Sequence, residues 1–245
     1  MNYNDIIFYD FETTGVNPHT AQPIQLAAVM IDGRKLTIDD KNIFDSYINI
    51  VWDEDECNRL DLTPYSDEIK RITGIDKKNL EPAPSLQTVW EEFQQFVYRN
   101  NPSKEKWKSP IRAGYNIDRY DNIIVDRICG GHRRNAKMQL LNVDKSIKIE
   151  DPYGFGPWDP KRQEDTLFNP RDSIDLLRIV WQWTENMADI KSLSFDSVRD
   201  WLGISAEGAH NAKKDVLDGA QTLVRFLKLH RHVAPTIKFK GKVNK

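Results

Sequence analysis

The chain has 245 residues, of which 29% are charged and 39% hydrophobic. That balance excludes wholesale disorder and supplies enough apolar material for a full core. The formal net charge of −2 gives no global basic field, so any binding of a polyanion must come from local patches or bound cations.

Two cysteines, Cys57 and Cys129, are too few for a disulfide framework and fit a reducing compartment. Cys129-Gly130-Gly131-His132 has half the spacing of a zinc site, with no second pair to complete it. Met1–Asp5 lacks the basic start and long apolar stretch of a leader. The apolar run Ile24–Ile31 is too short to span a membrane. The expectation is one soluble, intracellular, cytoplasmic domain over residues 1–245.

Ile6–Phe11 reads as a first strand, followed by a turn around Gly15 and Pro18. Ile24–Ile31 is a second strand that ends on Asp32-Gly33, a hairpin signal. Phe44–Val51 reads as a third. Asp53–Pro64 is acidic and polar and is expected as an exposed loop. Ser85–Asn100 is the clearest helix, with Ser85 as N-cap and one apolar stripe of Leu86, Val89, Trp90, Phe93, Phe96 and Val97. Stripes at this spacing pack inward, so Trp90, Phe93 and Phe96 are expected in the core rather than as a base-stacking platform.

Ile111–Tyr115 is expected as a strand and Asp121–Ile128 as the helix after it. From about 130 to 170 the pattern breaks into Gly, Pro, Asn and charged residues, as in a functional loop or insertion. Helical patterns resume at Ser173–Trp183, Ser194–Trp201 and Ala212–His230. The lysine-rich end, Lys238–Lys245, reads as a solvated tail.

The first strand carries the chemistry. Strand alternation points Asp10 and Glu12 one way and Tyr9 and Phe11 the other. At roughly 4 Å and an effective dielectric of about 20, two such acids repel by about 4 kcal/mol. A hard divalent cation with oxygen ligands would offset that; a strand end that reaches water would do so too. Two further clusters stand out, Gly114-Tyr115-Asn116-Ile117-Asp118-Arg119-Tyr120-Asp121 and His210-Asn211-Ala212-Lys213-Lys214-Asp215. Residues five apart lie about 140° apart around a helix, so His210 is expected on the loop and Asp215 inside the helix, facing the sheet. A loop histidine beside a metal-bound carboxylate suits a general base. Asp118 and Asp218 read as exposed polar residues, and Asp172 and Asp175 as helix-start acids.

Asp-x-Glu on the first strand, an Asp after Gly-Tyr-Asn, and His-x-Ala-x-x-Asp near the end together resemble the motifs of the DEDDh 3′→5′ exonucleases. The likeness is strongest to the nuclease domain of bacterial exonuclease I, with phage-type exonucleases similar as well. It includes Tyr9–Gly15, Pro23-Ile24-Gln25-Leu26-Ala27-Ala28, Ile72-Thr73-Gly74-Ile75, Arg119 and Asp151-Pro152-Tyr153. Asn211 stands where the tyrosine branch of the family has its tyrosine.

The resemblance implies an α/β, ribonuclease H-like mixed sheet flanked by helices. It implies Mg2+ (two ions, with Mn2+ as substitute) on Asp10, Glu12, Asp121 and Asp215, and His210 as general base. It selects Asp121 over Asp118 for the middle acid. It implies substrate contacts at Phe11, Thr13, Thr14, Ile72, Thr73, Gly74 and Asn116. The expected partner is single-stranded nucleic acid, DNA favoured over RNA, and the expected product is 5′-mononucleotide. Alternatives are an exoribonuclease, a polymerase-associated proofreading subunit, and a binding module with an inactive exonuclease fold.

Overall fold

A computed structural model describes residues 3–103, 105–129, 167–170, 172–205 and 211–236. The strand at the centre is β1 (Ile6–Thr13), flanked by β2 (Pro23–Ile31) and β4 (Ile111–Gly114). β3 (Ile38–Tyr47) lies beyond β2, and β5 (Ser173–Asp175) lies beyond β4. The order β3-β2-β1-β4-β5 is mixed: the first three strands are an antiparallel meander, while β4 and β5 run parallel to β1.

β1 is apolar on both faces over its first half, as a covered central strand must be. Tyr9 and Phe11 pack on α4 (Leu86–Asn100) and α5 (Asp121–Ile128), in one core with Trp90, Phe93, Phe96 and Ile124. Ile6 and Phe8 pack on the opposite face, against a core formed largely by α6 (Leu176–Thr184), α7 (Phe195–Leu202) and α8 (Ala212–Val233). Helices therefore cover both faces of the five-stranded sheet, the expected ribonuclease H-like architecture.

Gly219 sets the height of α8 over the sheet. A Cβ at that position would come within 2.6 Å of the Phe8 ring, so only glycine lets the helix lie this close. One helical turn before Gly219 stands Asp215; two strand residues after Phe8 stands Asp10. These steps measure about 6 Å along a helix and about 6.8 Å along a strand. With α8 running against β1, the contact at Phe8 therefore brings Asp215 level with Asp10.

Several elements depart from the sequence reading. The third strand is Ile38–Tyr47 rather than 44–51, because the Asp32 turn closes within five residues: Leu36 N–H donates to the Asp32 carbonyl at 2.8 Å. The acidic stretch 53–64 is not wholly loop. Asp53 caps α1 (Glu54–Arg59) by accepting from Glu56 N–H, and acids in the first turn suit the helix dipole. Apolar periodicity misses this helix because only Cys57 in it is buried. Two further short helices, α2 (Asp67–Thr73) and α3 (Lys77–Leu80), carry Ile75 and Leu80 onto Ile24. The stretch from Ser173 opens as strand β5, and its helix begins only at Leu176, where Asp175 is the N-cap. The expected insertion near 130–170 and the Asp151-Pro152-Tyr153 motif lie outside the described residues, apart from 167–170, and the half zinc motif does so beyond Cys129.

In an open helical position Gly→Ala gains about 1 kcal/mol from propensity. At Gly219 the sign should reverse, because overpacking costs about 1–3 kcal/mol. Gly219→Ala is expected to lower the melting temperature and Gly219→Val to lower it further, read by calorimetry; an unchanged or raised value for the alanine variant would contradict the close approach.

Candidate active site

Asp10 and Glu12 continue the α8-facing row begun by Ile6 and Phe8. Apolar residues there would close the core; acids instead open a polar patch under the first turn of α8. Asp10, Glu12 and Asp215 are half-buried, and each offers a carboxylate oxygen so placed that all three lie within 4.8 Å of one another. That grouping could hold a cation.

Asp121 reaches the same region from the other side of β1. β1 and β4 pair only through Ile6–Ile111, Ile7–Arg112 and Phe8–Ala113. Gly114 then passes close to the Tyr9 carbonyl, where a Cβ would come within 2.9 Å of the oxygen, and the chain turns away at Asn116, whose φ is +57°. Phe11 N–H is thereby left without a strand partner, and the carboxylate of Asp121, the first residue of α5, accepts from it at 3.0 Å. Crevices at the carboxyl ends of parallel strands are the usual location of sites in α/β sheets.

These acids disturb one another. Glu12 is pushed up to about 8, by burial first and then by Asp215 and Asp121, with Arg199 opposing. Asp121 is pushed up to about 7, again chiefly by burial, with the Phe11 N–H opposing and Asp175 adding to the rise. Asp10 is raised well above the ordinary carboxylate range by burial, Asp121, Glu12 and Asp215. A metal-free site of this kind holds protons at neutral pH that a cation would displace.

Arg199, on α7, is the cation facing this group, and the sequence reading missed it. It is 1% exposed. Its guanidinium donates to Asp215 Oδ1, to Asp218 Oδ2 at 3.1 Å and to Asp196 Oδ1 at 3.0 Å, and lies 4.0 Å over the Phe195 ring. Asp218 is therefore not the exposed helix residue expected: it is buried and also accepts from Lys214. Asp118 is half-buried as well; it accepts from Ser173 Oγ at 2.6 Å and Asn122 Nδ2 at 3.1 Å, and pairs with Arg178 at 3.1 Å. A charge spacing of i, i+3 or i, i+4 around Arg199 (Asp196 to Arg199, Lys214 to Asp218) is the signal that sequence could have offered.

Tyr120 was also unforeseen. Its hydroxyl lies 2.5 Å from Thr13 Oγ1 and also bonds the Gly15 carbonyl. Burial pushes it up to about 12, with Asp121, Glu12 and Asp10 adding to the rise. Arg127, from α5, donates to the carbonyls of Pro18 at 2.6 Å and Ala21 at 2.8 Å. The turn after β1 is thus fastened from α5 at both ends.

The expected substrate contacts are differently placed. Phe11 turns its ring into the core and is 5% exposed, which strand alternation requires. Ile72 is 44% exposed, at the end of α2 beside Gly74, which closes that helix at φ +69°. The backbone N–H of Thr14 is already engaged with the Gln22 carbonyl at 2.9 Å, and its hydroxyl donates to the Thr63 carbonyl at 2.7 Å. Asn116 donates its backbone N–H to Asp175 at 3.0 Å. Thr73 Oγ1 donates to the Ile69 carbonyl at 2.8 Å. His210 lies outside the described residues, immediately before Asn211, the N-cap of α8.

The sequence model of the exonuclease family matches residues 7–103, the stretch that carries Asp10 and Glu12. The similarity to known proteins extends past that segment. It is 25% identical over 230 residues to the DNA polymerase III PolC-type of Thermotoga maritima, covering 94% of this chain and 12% of that protein. To the protein of the same name from Caldanaerobacter subterraneus it is 20% identical over 223 residues, covering 91% and 12%.

Among solved structures, cell-death related nuclease 4 matches with a TM-score of 0.59 at 20% identity, covering 93% of this chain and 64% of that one. E. coli exonuclease I in complex with a dT13 oligonucleotide matches with a TM-score of 0.58 at 19% identity, covering 96% and 42%. The nuclease domain of 3′hExo, a DEDDh family member bound to rAMP, matches with a TM-score of 0.57 at 16% identity, covering 92% of each chain. These likenesses establish the fold.

The raised carboxyls imply a pH dependence opposite to that of an ordinary salt-bridged acid. A free carboxyl titrates at about 4, so between that pH and about 8 the native metal-free protein binds more protons than the unfolded chain. Stability should then fall as pH rises through that window. Glu12→Gln is expected to raise the metal-free melting temperature at pH 8 and to change it less at pH 5. A divalent cation should raise the wild-type melting temperature more at pH 8 than at pH 6. A glutamine variant less stable than wild type at pH 8 would make Glu12 a structural acid.

Proposed function

We propose that the chain is a divalent-metal-dependent 3′→5′ exonuclease that removes 5′-mononucleotides from single-stranded DNA. The observation that carries this reading is the convergence of Asp10, Glu12 and Asp215 within 4.8 Å at the end of the central strand of an exonuclease-like fold. Its support is the family match over 7–103, the dT13 oligonucleotide in the exonuclease I neighbour, and relatives named as DNA polymerases.

The donor set fits a hard cation. All the groups are carboxylates, the ligand type of magnesium and manganese, and no thiol or imidazole is grouped with them among the described residues. In this reading Asp10, Glu12 and Asp215 would hold the metal, and Asp121 would complete the carboxylate set. Such ions, when bound, supply the charge that makes a water acidic enough to attack phosphorus and that steadies the departing 3′ oxygen.

The chain's own residues present and orient. Phe11 N–H steadies Asp121 on the strand side, and Arg199 grips Asp215 from α7. His210 is assigned the proton of the attacking water. Ile72 offers apolar surface to the terminal base, a contact indifferent to sequence. Thr13, Thr14, Thr73, Gly74, Asn116 and the edge of Phe11 are assigned to the terminal nucleotide. A second reading, with RNA as substrate, is favoured by the rAMP in the 3′hExo neighbour; the 2′-hydroxyl is the group that would separate the two.

Single-stranded DNA and RNA, each labelled at the 3′ or the 5′ end, test both readings with Mg2+ and with chelator. Early release of 3′ label as mononucleotide, abolished by chelator and by Asp10→Ala, is expected, with DNA degraded faster than RNA. Cleavage of circular single strands, or full activity in excess chelator, would overturn the exonuclease reading. His210→Ala should lower turnover by roughly 10²–10⁴-fold, the usual size of general-base catalysis, while Mn2+ binding is unchanged. Near-normal turnover in that variant would remove the histidine from the mechanism.

A further inference from the structure

The geometry points to Arg199 as the positioning residue for Asp215: its guanidinium, fixed in place by groups outside the carboxylate cluster, sets the orientation in which Asp215 meets a cation. This inference rests on the metal-centre reading above. Its own ground is the set of contacts around one buried side chain.

An arginine fork can hold several oxygens at once in a fixed plane. Here Nε is committed to Asp218 Oδ2 at 3.1 Å, Nη1 to Asp196 Oδ1 at 3.0 Å and Nη2 to Asp215 Oδ1. The face of the group rests on Phe195, 4.0 Å from the ring centre. Asp196 and Phe195 belong to the first turn of α7, where Ser194 is the N-cap. Three contacts that involve no cluster acid therefore fix the plane that Asp215 must meet. A carboxylate has two oxygens, so holding one by arginine leaves the geometry of the other defined.

The same anchor is tied to the segment that delivers Asp121. Phe195 packs on Tyr115, with ring centroids 4.8 Å apart. The Tyr115 hydroxyl donates to the Leu193 carbonyl at 2.5 Å, just before α7. Tyr115 opens the turn that leads through Asn116 to Asp121. The stack Tyr115–Phe195–Arg199 thus links the turn ahead of the middle acid to the acid on α8.

Charge and geometry predict opposite effects here, which makes the inference testable. A cation beside the cluster opposes metal binding by simple repulsion, so a purely electrostatic Arg199 would weaken affinity. A positioning Arg199 would strengthen it. Arg199→Lys keeps the charge and loses the fork. Mn2+ binding to the full chain, measured by calorimetry and by electron paramagnetic resonance, reads the difference without relying on turnover. Asp10→Asn serves as the control that defines the site.

The expected result is a 10–100-fold weaker Mn2+ dissociation constant for Arg199→Lys, the size typical of outer-shell partners, and a value within about twofold of wild type would overturn the inference. Should that variant fail to fold, Phe195→Leu decides: it removes the stacking anchor, keeps the arginine and changes no charge. Weaker Mn2+ binding in Phe195→Leu supports positioning, and unchanged binding overturns it. Loss of Mn2+ binding from the wild type itself, or binding insensitive to Asp10→Asn, would instead overturn the metal-centre reading.

Discussion

The contact on which the rest of the site depends is apolar: Gly219 of α8 seated on the ring of Phe8. Removing one Cβ brings a 22-residue helix down onto the central strand, and the near match between a helical turn and two strand residues does the rest. The same contact that closes the α8-side core aligns Asp215 with Asp10 and Glu12. A shift of α8 by one residue along its axis would turn Asp215 by about 100° away from the strand. The geometry of the acid cluster is inherited from core packing.

That inheritance has an electrostatic consequence. Burial, rather than any single neighbour, is the largest influence on Asp10, Glu12 and Asp121. The fold holds acids in a place where their charged forms are disfavoured, and it spreads the resulting instability over a large apolar scaffold. Arg199 offsets part of it, but it is itself divided among Asp196, Asp215 and Asp218. The cluster is left short of positive charge, which is the condition a cation-binding site needs.

Much of this was legible in the sequence, and what was missed has a common cause. Strand alternation alone gave the shared face of Asp10 and Glu12 and the inward turn of Phe11. The stripe from Leu86 to Val97 gave α4 with its Ser85 cap. Misread were elements whose hydrophobic pattern is thin: α1, with a single buried residue, and β5, three residues long. The roles of Arg199, Asp218 and Tyr120 were missed because each depends on partners from other elements. Arg199 meets Asp215 16 residues away, and Tyr120 meets Thr13 107 residues away. Local periodicity carries no record of such pairs. The motif order did point to acids that the fold brings together, because Asp10, Glu12 and Asp215 fall near the ends of elements that periodicity does locate.

The bond from Phe11 N–H to Asp121 makes one backbone amide a spectator of the whole site. Neighbouring amides of β1 are protected by the sheet, and their exchange with solvent deuterium follows the opening of the sheet. The Phe11 amide has a side chain for its acceptor instead. Its exchange follows the carboxylate of Asp121, so any event that draws that carboxylate away registers at Phe11 while the strand on either side stays silent. A single resonance in the middle of the core thereby becomes a native isotopic reporter of the Asp121 carboxylate.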